Sequence, residues 1–347
     1  MIRRLFSRLL IISLAGILWV MYSCTATEQV VSEKIDIEAD NKYDSEFPVK
    51  NVSKELEFLS TTVKKLDCLA FYKSYVFSPD NDIKLKDINE NVLKNESLTS
   101  TVISEAVSGT ATVIYFDGNR IGLLTCAHVV DFPDTVIIRY ENGKGPIEVI
   151  SVKIKQQNFV KDLPSGDNVE VLATDQKNDI AILEKVLDDK DSNPTVLNYP
   201  LGNTRDFQWG SVVYVMGYPA GQLMVTTALV SDPIRARRGK FTTDALYNRG
   251  ISGGPILAIR DGVPNFELVG IASSASAKQV FYLKPGKESP EFINPDEAFT
   301  GDLFVDQYKE IRYGVSFNIS IEEITGFLNK NRSMLTNRGF DMDQFFK

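Results

Sequence analysis

A chain of 347 residues, 43% hydrophobic and 10% aromatic, holds enough apolar material for a sizeable core in one large domain or two compact ones, which excludes a disordered chain. Its 46 acidic residues outnumber 38 basic ones, which argues against sequence-independent nucleic-acid binding, because that feeds on Lys and Arg. A single histidine removes metal sites built on several imidazoles, and no metal or organic cofactor is expected.

In chain order, residues 1–24 read as an export signal: Arg3, Arg4 and Arg8 form a basic start, residues 9–20 are nearly all apolar, and Ser23 precedes Cys24. The pattern looks like a bacterial lipoprotein signal, in which Cys24 takes a lipid and becomes the new N-terminus. An uncleaved anchor and plain cleavage are the alternatives. All three export the protein, and the lipid or the anchor would hold it at a membrane of the bacterial cell envelope. Residues 25–59, with Glu28, Glu33, Asp36, Glu38, Asp40, Asp44 and Glu46, read as a solvated tether.

From residue 60 the pattern is short strands. Residues 66–77 open the first barrel, and 78–95 are an insertion whose Asp80, Asp82, Asp87 and Glu90 lack the glycine turn and terminal glutamate of an EF-hand loop. Residues 111–116, 121–130 and 135–140 follow as strands, separated by turns such as Asp117-Gly118-Asn119. Residues 169–174 lead into the strand after Asp179, and the boundary between two halves falls near 187–207. Strands resume at 211–216, 223–229, 239–243, 255–260 and 267–273, and regular spacing of this kind argues for closed antiparallel barrels in an all-β fold. Residues 284–306 read as a loop. Ser320-Ile321-Glu322-Glu323 has the form of a capping box opening a short amphipathic C-terminal helix. In the tail, 331–347, Phe340, Met342, Phe345 and Phe346 dock on the body or a neighbouring subunit, or hang free.

Three side chains point to chemistry. Ser252 sits among Gly250, Gly253 and Gly254, where the backbone can take positive φ and a substrate can approach closely. The amides of Gly250 and Ser252 can then converge on one carbonyl oxygen as an oxyanion hole. A serine hydroxyl needs a base, and His128 is the one imidazole; Asp179, at the mouth of the apolar run Ile180-Ala181-Ile182-Leu183, can orient it. Cys126 lies two residues before His128 on one expected strand, too close to face it across a cleft, so a cysteine nucleophile is not expected. Cys68 and Cys126 form a disulfide or remain two buried thiols.

The order His, Asp, Ser, with Ser108-Gly109-Thr110-Ala111, Thr125 to Val130, Asn178 to Leu183, Gly217-Tyr218-Pro219-Ala220-Gly221 and Thr243-Asp244-Ala245 to Pro255, resembles the chymotrypsin-like serine proteases, and more closely the HtrA/Deg branch. Arg249 and Ile251 depart from that branch, where proline and asparagine are usual. The resemblance implies a double antiparallel β-barrel over 60–330 and a serine endopeptidase in which Ser252 attacks a peptide carbonyl, His128 relays the proton and Asp179 holds the imidazole. Exported or misfolded polypeptides would be its substrates. It also implies that Ser273, Ser274 and Ala275 pair with substrate backbone and that Leu246 floors a pocket favouring an aliphatic side chain. No PDZ domain fits after residue 330. A catalytically silent or latent module binding peptides is the alternative, and self-association stays open.

Overall fold

The computed structural model describes residues 39–346 apart from 49, 82, 94–98, 141–144, 164–167, 188–192, 237–238, 286–295, 297–298 and 300. The export signal, Cys24 and most of the tether lie outside the described residues. Among those described, no helix is long and apolar enough to cross a membrane.

Alternation sets the first element. In β1 (Val63–Val76), Leu66, Cys68, Ala70, Tyr72 and Ser74 face inward while the residues between them are more exposed. β1 pairs on one edge with β2 (Thr99–Phe116) and on the other with β5 (Ile147–Val160). Through β3 (Arg120–Thr125), β7 (Ile180–Val186) and β6 (Asn168–Asp175) the ring closes, with β4 (Thr135–Arg139) added outside β5. The second barrel closes in the order β10 (Lys240–Thr243), β13 (Leu303–Ser320), β12 (Phe266–Pro285), β11 (Pro255–Ile259), β8 (Val212–Gly217) and β9 (Met224–Asp232). The fold is the chymotrypsin-like double barrel, with short helices at its C-terminal end.

β8 and β11 are buried on both faces, which is why their sequences are continuous apolar runs rather than alternating ones. Before β1, α1 (Ser53–Thr62) buries Leu59 and Thr62. The polar stretch ahead of it contributes Tyr43, which is buried and donates from Oη to Glu267 Oε2 at 2.7 Å.

Two local expectations are corrected. Residues 121–130 are not one strand: β3 ends at Thr125, and α2 (Ala127–Val130) is a single helical turn with Cys126 as its extended N-cap. Residues 284–306 are not wholly loop, because β12 runs to Pro285 and β13 starts at Leu303, forming a long ribbon. The capping box does form in part: Ser320 Oγ accepts from the Glu323 N–H, and α3 (Ile321–Lys330) buries Ile321, Ile324, Phe327 and Leu328. After α4 (Arg332–Asn337) the tail docks, with Phe340, Met342 and Phe345 buried and both Phe rings against Tyr115. Cys68 and Cys126 are both buried free thiols.

Candidate functional site

The turn from β6 to β7 is built by Asp175, whose Oδ1 accepts the Asn178 N–H at 3.0 Å, and it ends at Asp179 in the left-handed region with φ 63°. Aspartate is one of the few side chains that takes this conformation readily. Asp179 thereby meets α2: the backbone N–H of His128 donates to Oδ1 at 3.0 Å, and the ring Nδ1 lies 2.9 Å from both carboxylate oxygens. Ser273 Oγ donates to Oδ2 at 2.6 Å. Burial pushes the Asp179 carboxyl up, but hydrogen bonding and charge from His128 and the Ser273 hydroxyl outweigh it, leaving the group below the usual carboxylate range. The His128 side chain is 47% exposed and Asp179 17%, so the pair opens to solvent on the imidazole side.

The Ser252 loop belongs to the second barrel but is clamped by the first. Thr110 N–H donates to the Ser252 carbonyl at 2.8 Å, and Thr110 Oγ1 donates to the Gly250 carbonyl at 2.7 Å while accepting the Tyr218 N–H at 3.0 Å. Gly253, at φ 90°, lies so close that a Cβ would strike the Thr110 carbonyl. Ile251 is buried, which accounts for an apolar residue in this loop. Arg249 presents its carbonyl to the Ala220 N–H at 2.8 Å.

The expected His128, Asp179, Ser252 relay is overturned here, and with it the serine endopeptidase of trypsin type. Ser252 Oγ donates to the Ser273 carbonyl at 2.8 Å, and among the described residues no hydrogen bond joins it to His128. The groups gathered with the His128 ring and the Asp179 carboxylate are instead those of Cys126, with one donor atom of each within 4.8 Å of the others. The expectation that Cys126 could not reach this position fails for a physical reason: the chain turns from strand to helix at Cys126, so its side chain and that of His128 no longer alternate along one strand. The Cys126 thiol is completely buried and donates to the Ala272 carbonyl at 3.2 Å. Burial and then the Asp179 charge push the thiol well above its ordinary value, so sulfur is held as S–H. Neither hydroxyl nor thiol is activated in this conformation. The same three groups are the donor set a metal ion would use, but the thiol is protonated and both carboxylate oxygens already accept from His128 and Ser273.

Residues 109–271 match the family model for a trypsin-like peptidase domain. A trypsin-like peptidase domain is present. No curated protein matches the chain. The domain's match begins at Gly109, where the clamp on the Ser252 loop begins, and ends at Ile271, just before the strand segment that carries Ser273. Thr110 and Ser273 were readable near the site, one in the motif from Ser108 to Ala111 and the other on the expected substrate edge, but not as residues that organise it. Thr110 carried no signal beyond lying beside Gly109, and the link from Ser273 Oγ to Asp179 spans 94 positions of sequence with no local pattern to announce it.

Leu246 is 67% exposed, in a segment fixed by Ser316 Oγ donating to the Ala245 carbonyl at 2.6 Å. On β12, Ser274 and Ala275 lie opposite Phe317 and Ser316 of β13, and Ser273 sits at the bulge between Ala272 and Ser274. β11 accompanies β12 only as far as Ile271, so beyond it no described strand covers the other edge.

Proposed function

We propose that the trypsin-like domain captures polypeptide in extended form. One observation carries this reading: among the described residues the N–H groups of Gly250 and Ser252 have no intramolecular acceptor, and they sit beside a strand edge with no partner. Backbone donors left free at a surface bind carbonyl oxygens, and an open edge binds backbone in register. The exposed Leu246 supplies an apolar contact for one side chain. The Ser252 hydroxyl occupies the Ser273 carbonyl, an acceptor that an incoming strand would use. The motifs from Ser108 to Pro255 favour the HtrA/Deg branch among trypsin-like domains, and the character of residues 1–24 favours work in the cell envelope.

Equilibrium binding of fluorescein-labelled peptides tests the reading. The full chain is expected to bind an extended peptide with a leucine at its anchor position. Leu246→Lys, at an exposed site that tolerates charge, is expected to weaken that binding and to favour the same peptide with glutamate there. Absence of binding by the unaltered chain would remove the proposal.

A further inference from the structure

We infer that the β12–β13 ribbon is a platform on which the captured polypeptide continues as a third strand, and that the polypeptide it selects is apolar. The inference rests on the polypeptide-capture reading and extends it to a substrate class.

Past the barrel, Ser276–Pro285 of β12 pair with Arg312–Leu303 of β13. The step in register between Ala275 and Ser276 leaves Tyr313, Gly314 and Val315 unmatched on β13 as a bulge, with Gly314 at φ 82°. Directly opposed residues share a face. Phe281 with Gln307, Leu283 with Val305 and Pro285 with Leu303 make one face, on which Phe281 is 65%, Leu283 61% and Val305 70% exposed. On the other face Lys284 pairs with Asp306 at 2.5 Å, among the exposed side chains of Tyr282, Phe304 and Tyr308.

Two features of this ribbon are incomplete. A two-stranded ribbon is marginal in water, and three strands or more are the usual condition of stability. Its β12 edge has no partner among the described residues, yet it is the same edge that starts at Ser273–Ala275 beside Ser252. A chain entering the cleft in extended form is therefore already in register to run along the ribbon, over about ten residues at about 3.3 Å each. It would pair with the open backbone groups and set alternate side chains beside Phe281 and Leu283. That selects a long, apolar, unfolded segment over a short or polar peptide.

The test compares three labelled peptides on the full chain: a four-residue peptide that fills only the cleft, a fourteen-residue peptide continuing it with leucine or valine at alternate positions, and a fourteen-residue peptide with serine at those positions. The long apolar peptide is expected to bind at least about tenfold more tightly than the other two. Phe281→Ser with Leu283→Ser, both solvent-exposed, is expected to abolish that advantage and leave the short peptide unchanged, and Val305→Ser on the partner strand to reduce it. Equal affinity for the short and long peptides, equal affinity for the apolar and polar ones, or an advantage that survives the double variant would overturn the ribbon inference. So would a dimer in sedimentation that the double variant converts to monomer, since a second copy would then be the occupant. Failure of all three peptides to bind would instead overturn the capture reading on which the inference rests.

Discussion

Asp179 is the residue on which the site converges, since it receives the His128 ring, the His128 N–H and the Ser273 hydroxyl together. Its carboxyl is held below the usual range, so the stability it contributes is present above the unfolded value and is lost as pH falls through the folded one. Unfolding in urea measured between neutral and strongly acidic pH should therefore show a shallower acid limb in Asp179→Asn, a substitution that keeps a side chain suited to positive φ. Cys126 has the opposite sign: its thiol is raised, so its contribution is complete below the unfolded value and declines as pH rises beyond it. Iodoacetamide at mildly alkaline pH should leave Cys126 and Cys68 unmodified in the folded protein and alkylate both after denaturation, as read by intact mass. Rapid modification of Cys126 in the native state would contradict its assignment as a buried S–H. At this scale the sequence announced His128, Asp179 and Ser252 by their neighbours. The hydrogen bond from the His128 ring to Asp179 was legible there too; the engagement of Ser252 with Ser273 and the placement of Cys126 were not, because rotamers and the turn at Cys126 are decided by packing between segments far apart in the chain.

At the scale of elements, the loop from Gly250 to Gly254 and strand β2 act as one unit although they belong to different barrels. Thr110→Val removes a buried hydroxyl that donates to the Gly250 carbonyl and accepts from Tyr218. Orphaning those groups should lower stability by about 1–3 kcal/mol. Gly253→Ala is expected to be worse, by more than about 2 kcal/mol, because it adds strain at φ 90° to a collision with the Thr110 carbonyl. Chemical denaturation of the two variants checks the order, and a Gly253→Ala protein as stable as the parent would refute the clamp. Strand periodicity was readable wherever one face is wet, as in β1. Residues 284–306 were misread as loop because proline, glycine and charge at the centre obscured the two strand ends that flank them. A solvated ribbon also lacks the apolar and polar alternation that a core imposes.

At the scale of the molecule, the C-terminal segment leaves the second barrel at Ser320 and finishes on the first, where Phe340 lies against Tyr115 and the Asp341 N–H donates to Tyr115 Oη at 3.0 Å. The tail therefore fastens the two barrels from behind while the Thr110 clamp fastens them at the cleft. Phe340→Ala should cost about 3–5 kcal/mol, measured by urea unfolding; a change within error would show the tail to be an ornament. The regular spacing of short strands announced closed antiparallel barrels, and their pairing as a double barrel was what the resemblance implied. The docking of the tail on the body was one of three open alternatives, since four apolar residues in a short segment do not specify the surface that receives them. The site whose serine hydroxyl is engaged with Ser273 is assigned capture of extended polypeptide. That capture is tested most directly by mixing the full chain, and its Ser252→Ala variant, with a labelled unfolded polypeptide and following anisotropy and fragment masses in the same sample. Binding by both proteins, tighter in Ser252→Ala because the Ser273 carbonyl is released, with the polypeptide left intact, is the predicted result; fragments that appear with the parent chain and vanish in Ser252→Ala would contradict it.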